Sequence, residues 1–167
     1  GVFAQNGVDI KLTGDEITIN SDSGEHNETC AVWANTNGTI TLGNGDSRIF
    51  VNATGNYPMA MAAMGTNSRL IVNGSSLIVN CDEPGAFAIH VQNNTQTESA
   101  PENAASVDIN VENIVINGSD LGISAFSNGQ MNINGNLTVN ATNAIDTRGN
   151  ATININTDGQ HTTVLNG

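Results

Sequence analysis

The reactive side chains of this sequence are mostly carboxylates, and their spacing decides what they can do. Asp and Glu number 16 against 4 Lys and Arg, with 3 His and 2 Cys. The densest group is Asp22, Glu25, His26 and Glu28, in the stretch SDSGEHNETC. These are ligand types for a cation. Their spacing matches no named metal motif, so the expectation is a solvated acidic turn and no bound metal or cofactor. Hydrolysis of a glycosidic bond normally needs two positioned carboxylates. Lyase chemistry needs a base, and usually a cation or a basic side chain to stabilise a carbanion. Here the other aspartates, among them Asp9, Asp46, Asp108 and Asp158, scatter over turns, and only Asp146 falls on the exterior of a repeated strand, with Arg148 nearby. The chain reads as non-catalytic.

The other reactive groups belong to one recurring segment. If Val32, Ile89, Ile123 and Ile145 face a core, then Trp33, His90, Ser124 and Asp146 stand outward in one row. Asn35, Gln92, Phe126 and Arg148 follow three residues after each inward position. Trp33, His90, Phe126, Asp146 and Arg148 are therefore the candidate ligand- or partner-binding residues. Exposed Trp33 and Phe126 would suit carbohydrate stacking or a partner interface. The bland alternative is that both rings are buried under long turns.

A row of that kind needs parallel strands at fixed spacing, and the chain repeats a phrase that supplies them. The phrase is apolar-x-apolar-Asn: ITIN, IFVN, LIVN, IVIN and LTVN end at Asn20, Asn52, Asn80, Asn117 and Asn140, and TVLN ends at Asn166. Successive spacings are 32, 28, 37, 23 and 26 residues. Recurrence on that scale signals a solenoid, propeller or array. Each phrase, strand B, is preceded by a short strand A (first VDIKL, 8–12) and followed by a strand C. The C strands are CAVWA (30–34), MAMAAM (59–64), AFAIHV (86–91), LGISAF (121–126) and NAIDT (143–147). MAMAAM is the least secure of them, because Met and Ala favour helix. A and B alternate apolar and polar, the signature of a sheet with one face buried.

The fold expected is all-β, a right-handed parallel β-helix of three short strands per coil and about five and a half coils, forming a single domain over 1–167. Equivalent strands would stack about 4.8 Å apart in three parallel sheets. The B-strand asparagines would sit at a bend, tolerate the left-handed conformation and hydrogen-bond along the axis as a ladder. The polar stretch 92–106 should protrude as a loop. Cys30 and Cys81 fall two coils apart, roughly 9–10 Å from the strand spacing, too far for a disulfide. Free, largely buried thiols are expected.

Composition narrows the partners. Aromatics are 4% and charged residues 12%, with a net charge of -12. Four basic residues cannot form the stripe that neutralises phosphates, so nucleic acid is a poor partner. No apolar run approaches the ~18–20 residues of a membrane helix. The numerous N-x-S/T sequons arise from Asn and Thr richness and read as incidental. The chain stops in mid-pattern at TTVLNG, which suggests a piece of a longer surface protein.

The phrases MNINGNLTVNATNAIDTRGNATININ (131–156) and LIVNGSSLIVN (70–80) carry a resemblance. The sequence resembles the parallel β-helix regions of bacterial surface proteins, most like an autotransporter adhesin passenger domain. That resemblance implies secretion, display on the bacterial cell surface, and cell adhesion or self-association of the kind that serves biofilm, aggregation and virulence. Partners would be another copy, or a host or matrix protein or glycan. The alternative is a carbohydrate-binding or polysaccharide-active β-helix like the pectate lyases.

Overall fold

The computed structural model describes residues 1–24, 29–81, 83–93, 103–118 and 120–167. These contain fifteen strands and no α-helix. The strands pair in two sheets, and every pairing is parallel. Parallel strands need crossover connections, which here are themselves strands of the other sheet. The architecture is compatible with a β-solenoid.

Strand C builds the six-stranded sheet. Its order is β1 (Val2–Ala4), β4 (Cys30–Asn35), β7 (Met59–Met64), β9 (Phe87–Gln92), β11 (Leu121–Phe126) and β13 (Asn143–Arg148). Strand β1 adds a member before the first expected repeat, its Val2 in register with Val32. MAMAAM is a strand, not a helix: β7 lies between β4 and β9, and parallel pairing on both sides overrides its helical propensity.

Strands A and B share the nine-stranded sheet, and this corrects the expected three-sheet layout. In the first two repeats they remain separate, as β2 (Asp9–Leu12) with β3 (Glu16–Asp22), and β5 (Thr39–Leu42) with β6 (Arg48–Thr54). Thereafter A and B run together as β8 (Arg69–Asn80), β10 (Ser106–Asn117) and β12 (Gln130–Asn140). The A–B junction in these repeats is a bend within one strand, not a turn. The register between β10 and β12 slips at this bend, between Asn110 and Asn113. Gly135 occupies the bend of β12 at φ 146°, and a Cβ there would collide with the Val111 carbonyl of β10. Last come β14 (Thr152–Ile155) and β15 (Thr163–Asn166), both paired to β12.

The core is a set of aliphatic files. Ile17, Ile49, Leu77, Ile114 and Leu137 stack in register, and Ile19, Val51, Val79, Ile116 and Val139 form the next file. All ten are buried. Each such side chain contributes about 1.5–3 kcal/mol by leaving water. The inward assignments made from alternation are therefore the observed ones.

The asparagine ladder is present in full. Asn52 donates from Nδ2 to Asn20 Oδ1 at 2.7 Å, and Asn80 to Asn52 at 2.7 Å. Asn117 donates to Asn80 at 3.0 Å, Asn140 to Asn117 at 3.0 Å, and Asn166 to Asn140 at 2.8 Å. Their backbone corrects the expectation of a left-handed bend. These residues lie in extended strands, and the left-handed asparagines are others: Asn6, Asn37, Asn67, Asn128 and Asn150 in the turns from C to A, with φ between 56° and 64°, and Asn156 after β14, at φ 47°. Two roles of Asn have separated, turn former in one place and ladder rung in another.

Candidate functional site

The outward row of the six-stranded sheet has the register read from sequence. Phe3, Trp33, Ala62, His90, Ser124 and Asp146 pair in succession. The flanking file Asn35, Gln92, Phe126 and Arg148 is also in the expected register, with Met64, not anticipated, between Asn35 and Gln92. What the register could not give is exposure. His90 is 3% exposed and Ser124 fully buried, although both point away from the aliphatic core. The reason is their neighbours: the first and last residues of β7, β9 and β11 are large, so the middle of each strand lies in a trough.

That trough opens into a groove of about 370 Å³ lined by Tyr57, Met59, Met64, Gly85, Phe87, His90, Gln92 and Phe126. Met59 and Phe87 pair as the first residues of β7 and β9, and Met64 and Gln92 as the last. The floor is low over β7 because Ala62 sits beside His90. Tyr57 reaches the groove from the turn before β7. It is 52% exposed and holds a left-handed backbone, φ 47°. That conformation is an outlier for a bulky residue. Gly85 makes room for it, since a Cβ there would collide with the Tyr57 ring. The Gly85 N–H donates to Asp120 Oδ2 at 2.7 Å, fixing this edge.

His90 is the centre of the site. Its ring meets Phe87 at 5.3 Å and Phe126 at 5.0 Å, both nearly edge-on. Such contacts contribute roughly 0.5–1.5 kcal/mol each beyond burial. Nδ1 lies 2.8 Å from Ser124 Oγ and Nε2 lies 3.1 Å from Gln92 Oε1. The Gln92 carbonyl oxygen can only accept, so a neutral ring carries its proton on Nε2 and accepts a hydrogen bond from the Ser124 hydroxyl at Nδ1. Burial lowers the His90 pKa, with the Gln92 hydrogen bond opposing it.

A serine on an imidazole oriented by a third group has the outline of a nucleophile and base. Ser124 is fully buried. The third group is a neutral glutamine, whose carbonyl oxygen favours the protonated ring less than a carboxylate would. The network holds the groove floor.

Of the residues singled out from sequence, His90 and Phe126 meet in the groove. Arg148 lies over the Phe126 ring, its guanidinium carbon 4.8 Å from the centroid, and pairs with Asp146. Trp33 stands apart. It is half-buried against Phe3 at 5.0 Å, and its indole N–H is buried without a partner among the described residues. Asp22 ends β3 and accepts the Gly24 N–H at 2.8 Å, a turn role. Glu25, His26 and Glu28 lie outside the described residues, as does most of the expected loop 92–106. Among the described residues no three His, Cys, Asp or Glu side chains converge. Neither Cys30 nor Cys81 is in a disulfide, and the Cys81 thiol lies 3.7 Å from the Pro58 carbonyl oxygen and 3.6 Å from that of Phe87. Burial pushes the Cys30 thiol up to about 12, although the residue keeps some exposed surface.

Sequence reasoning missed Tyr57, Met59, Met64, Gly85 and Phe87. A signal existed, because aligning the C strands also aligns their first residues, Met59 with Phe87. Nothing local in the sequence announces Tyr57 or Gly85. Comparison with protein-family models, with curated proteins and with solved structures finds no match to this chain.

Proposed function

We propose that the chain is a non-catalytic binding module, an extracellular adhesive segment built as a right-handed parallel β-helix of about five and a half coils. Its recognition surface is the outer face of the six-stranded sheet. The observation that carries this reading is the placement of the aromatic residues. The chain has 4 Phe, 1 Trp and 1 Tyr. Phe3, Trp33, Phe87 and Phe126 lie on the strands of this one sheet, and Tyr57 lies in the turn leading into it. Phe50 alone is elsewhere, on β6. A protein with so few rings that gathers them on one face, with Phe3 and Tyr57 about half exposed, carries the composition of an interface core. The sequence resemblance to bacterial surface β-helices supports display outside the cell, with self-association or attachment to a host or matrix component as the outcome.

The test is attachment by cells or beads displaying the chain. Settling, or binding to a matrix-coated surface, should fall at least tenfold when Tyr57 and Phe126 are both replaced by Ala. It should persist when Thr18 on the opposite sheet is replaced by Ala. Unchanged attachment by a folded Tyr57→Ala/Phe126→Ala variant would overturn the reading.

A further inference from the structure

The groove on this face has a chemistry that selects among ligands. Three rings, Tyr57, Phe87 and Phe126, and two thioethers, Met59 and Met64, make most of its lining. Part of its polar lining is occupied. Both His90 nitrogens are engaged, by Ser124 and by Gln92, and the Gln92 carbonyl oxygen accepts from His90. A sugar entering this groove would give up water from several hydroxyls and meet a histidine and a glutamine oxygen already engaged, at a cost of roughly 1–3 kcal/mol for each hydroxyl left unpaired. A hydrophobic body fits the walls better.

The electrostatic surroundings add a sign. The chain carries a net charge of -12. Asp120 is bonded to Gly85 at the groove edge, and Glu83 shares the neighbouring depression with Tyr57. Arg148, the cation over the Phe126 ring, is paired with Asp146. The groove walls themselves carry no formal charge. An acidic rim around uncharged aromatic faces attracts cations and repels anions. Arg148 over Phe126 at 4.8 Å shows that one of these rings already receives a cation. Tyr57, held half-exposed over the mouth in a left-handed conformation, supplies a further ring face.

We propose that the groove formed by Tyr57, Phe87, Phe126, Met59 and Met64 binds an organic cation with an apolar body, a quaternary ammonium group of the choline type. The volume, about 370 Å³, is at the small end of ligand sites and is suited to one such group. Attraction to the ring faces and rim carboxylates replaces hydrogen bonding as the source of selectivity. The proposal names the ligand of the surface assigned above and rests on that assignment.

The four methionines provide a built-in assay. Met59 and Met64 line the groove, whereas Met61 and Met131 are fully buried in the core. Choline chloride is titrated into the protein and the methionine methyl resonances are followed, with sodium chloride at equal ionic strength and methyl glucoside as controls. Met59 and Met64 should shift saturably with choline while Met61 and Met131 stay. Tyr57→Ala should weaken the apparent Kd at least tenfold, and raising salt should weaken it further. Absence of a saturable shift with choline, or an equal shift with methyl glucoside, overturns the proposal. Because Tyr57→Ala leaves a largely exposed position, its fold can be checked from the unchanged Met61 and Met131 signals. Attachment that depends on Tyr57 and Phe126 without choline binding would sink this inference alone. Choline binding without such attachment would sink the adhesive reading and leave the groove its ligand.

Discussion

Two outward-facing surfaces of this molecule use polar and aromatic side chains in opposite ways. On the nine-stranded sheet the same residue recurs at one register position from Asn20 to Asn166, and each amide is satisfied by the next. On the six-stranded sheet the outward row changes at every strand, from Phe3 and Trp33 through Ala62 to His90, Ser124 and Asp146. A row of identical side chains spends its hydrogen-bonding capacity on itself. A row of unlike side chains cannot, and leaves steps, a trough and unoccupied ring faces. Regularity therefore marks the part of the surface that stabilises the stack, and irregularity marks the part open to a ligand.

The contrast can be broken from the core outward. The largest effect is expected from Val79→Asp, which places a carboxylate in the aliphatic file behind the ladder, at a position with no exposure. The loss should be about 4 kcal/mol or more, enough to unfold a domain of ordinary stability. Circular dichroism should show no cooperative melt, and a soluble variant melting near wild type would reverse the inward assignment.

A middle-sized effect separates the ladder from decoration. Asn80→Ala removes a rung bonded on both sides, leaving Asn52 Oδ1 and Asn117 Nδ2 without their partner. Denaturant melts should show a loss of about 1–3 kcal/mol. Asn166→Ala removes one bond at an exposed site and should cost about 0.5 kcal/mol. Equal losses at the two positions would mean that the ladder adds nothing beyond single hydrogen bonds.

The smallest effect lies in the groove floor. The folded pKa of His90 is depressed by burial below its unfolded value of ~6.5. Its neutral form is the one the folded state prefers, so the unfolded state binds more protons as the pH falls. Above about pH 6.5 the residue adds no pH dependence. Stability should decline as the pH drops through that value, by at most about 1.4 kcal/mol per pH unit, and level off below the folded pKa. The groups around the ring are Ser124, Gln92, Phe87 and Phe126, with Arg148 beyond Phe126 and Asp146 beside Ser124 in register. Melts of the wild type and His90→Gln between pH 7.5 and 5 isolate the effect, and parallel curves would show that the ring does not titrate in this window.

The sequence by itself determined the parallel strands, the two inward files and the ladder. Each depends only on period-2 alternation and on a phrase repeated at similar intervals, so equivalent residues meet by stacking. The outward register of the six-stranded sheet was legible for the same reason, down to Phe126 beside His90's strand. The tertiary structure alone decided the rest. Whether A and B part at a corner or run together depends on how one bend packs on the bend above, as Gly135 does on Val111. Whether His90 is exposed depends on the size of side chains from three different strands. Tyr57 enters the groove through a strained turn and the missing side chain of Gly85, 28 residues further along the chain. Repetition can be read in one dimension, whereas a groove is made where repetition fails, by residues that share only a place in space.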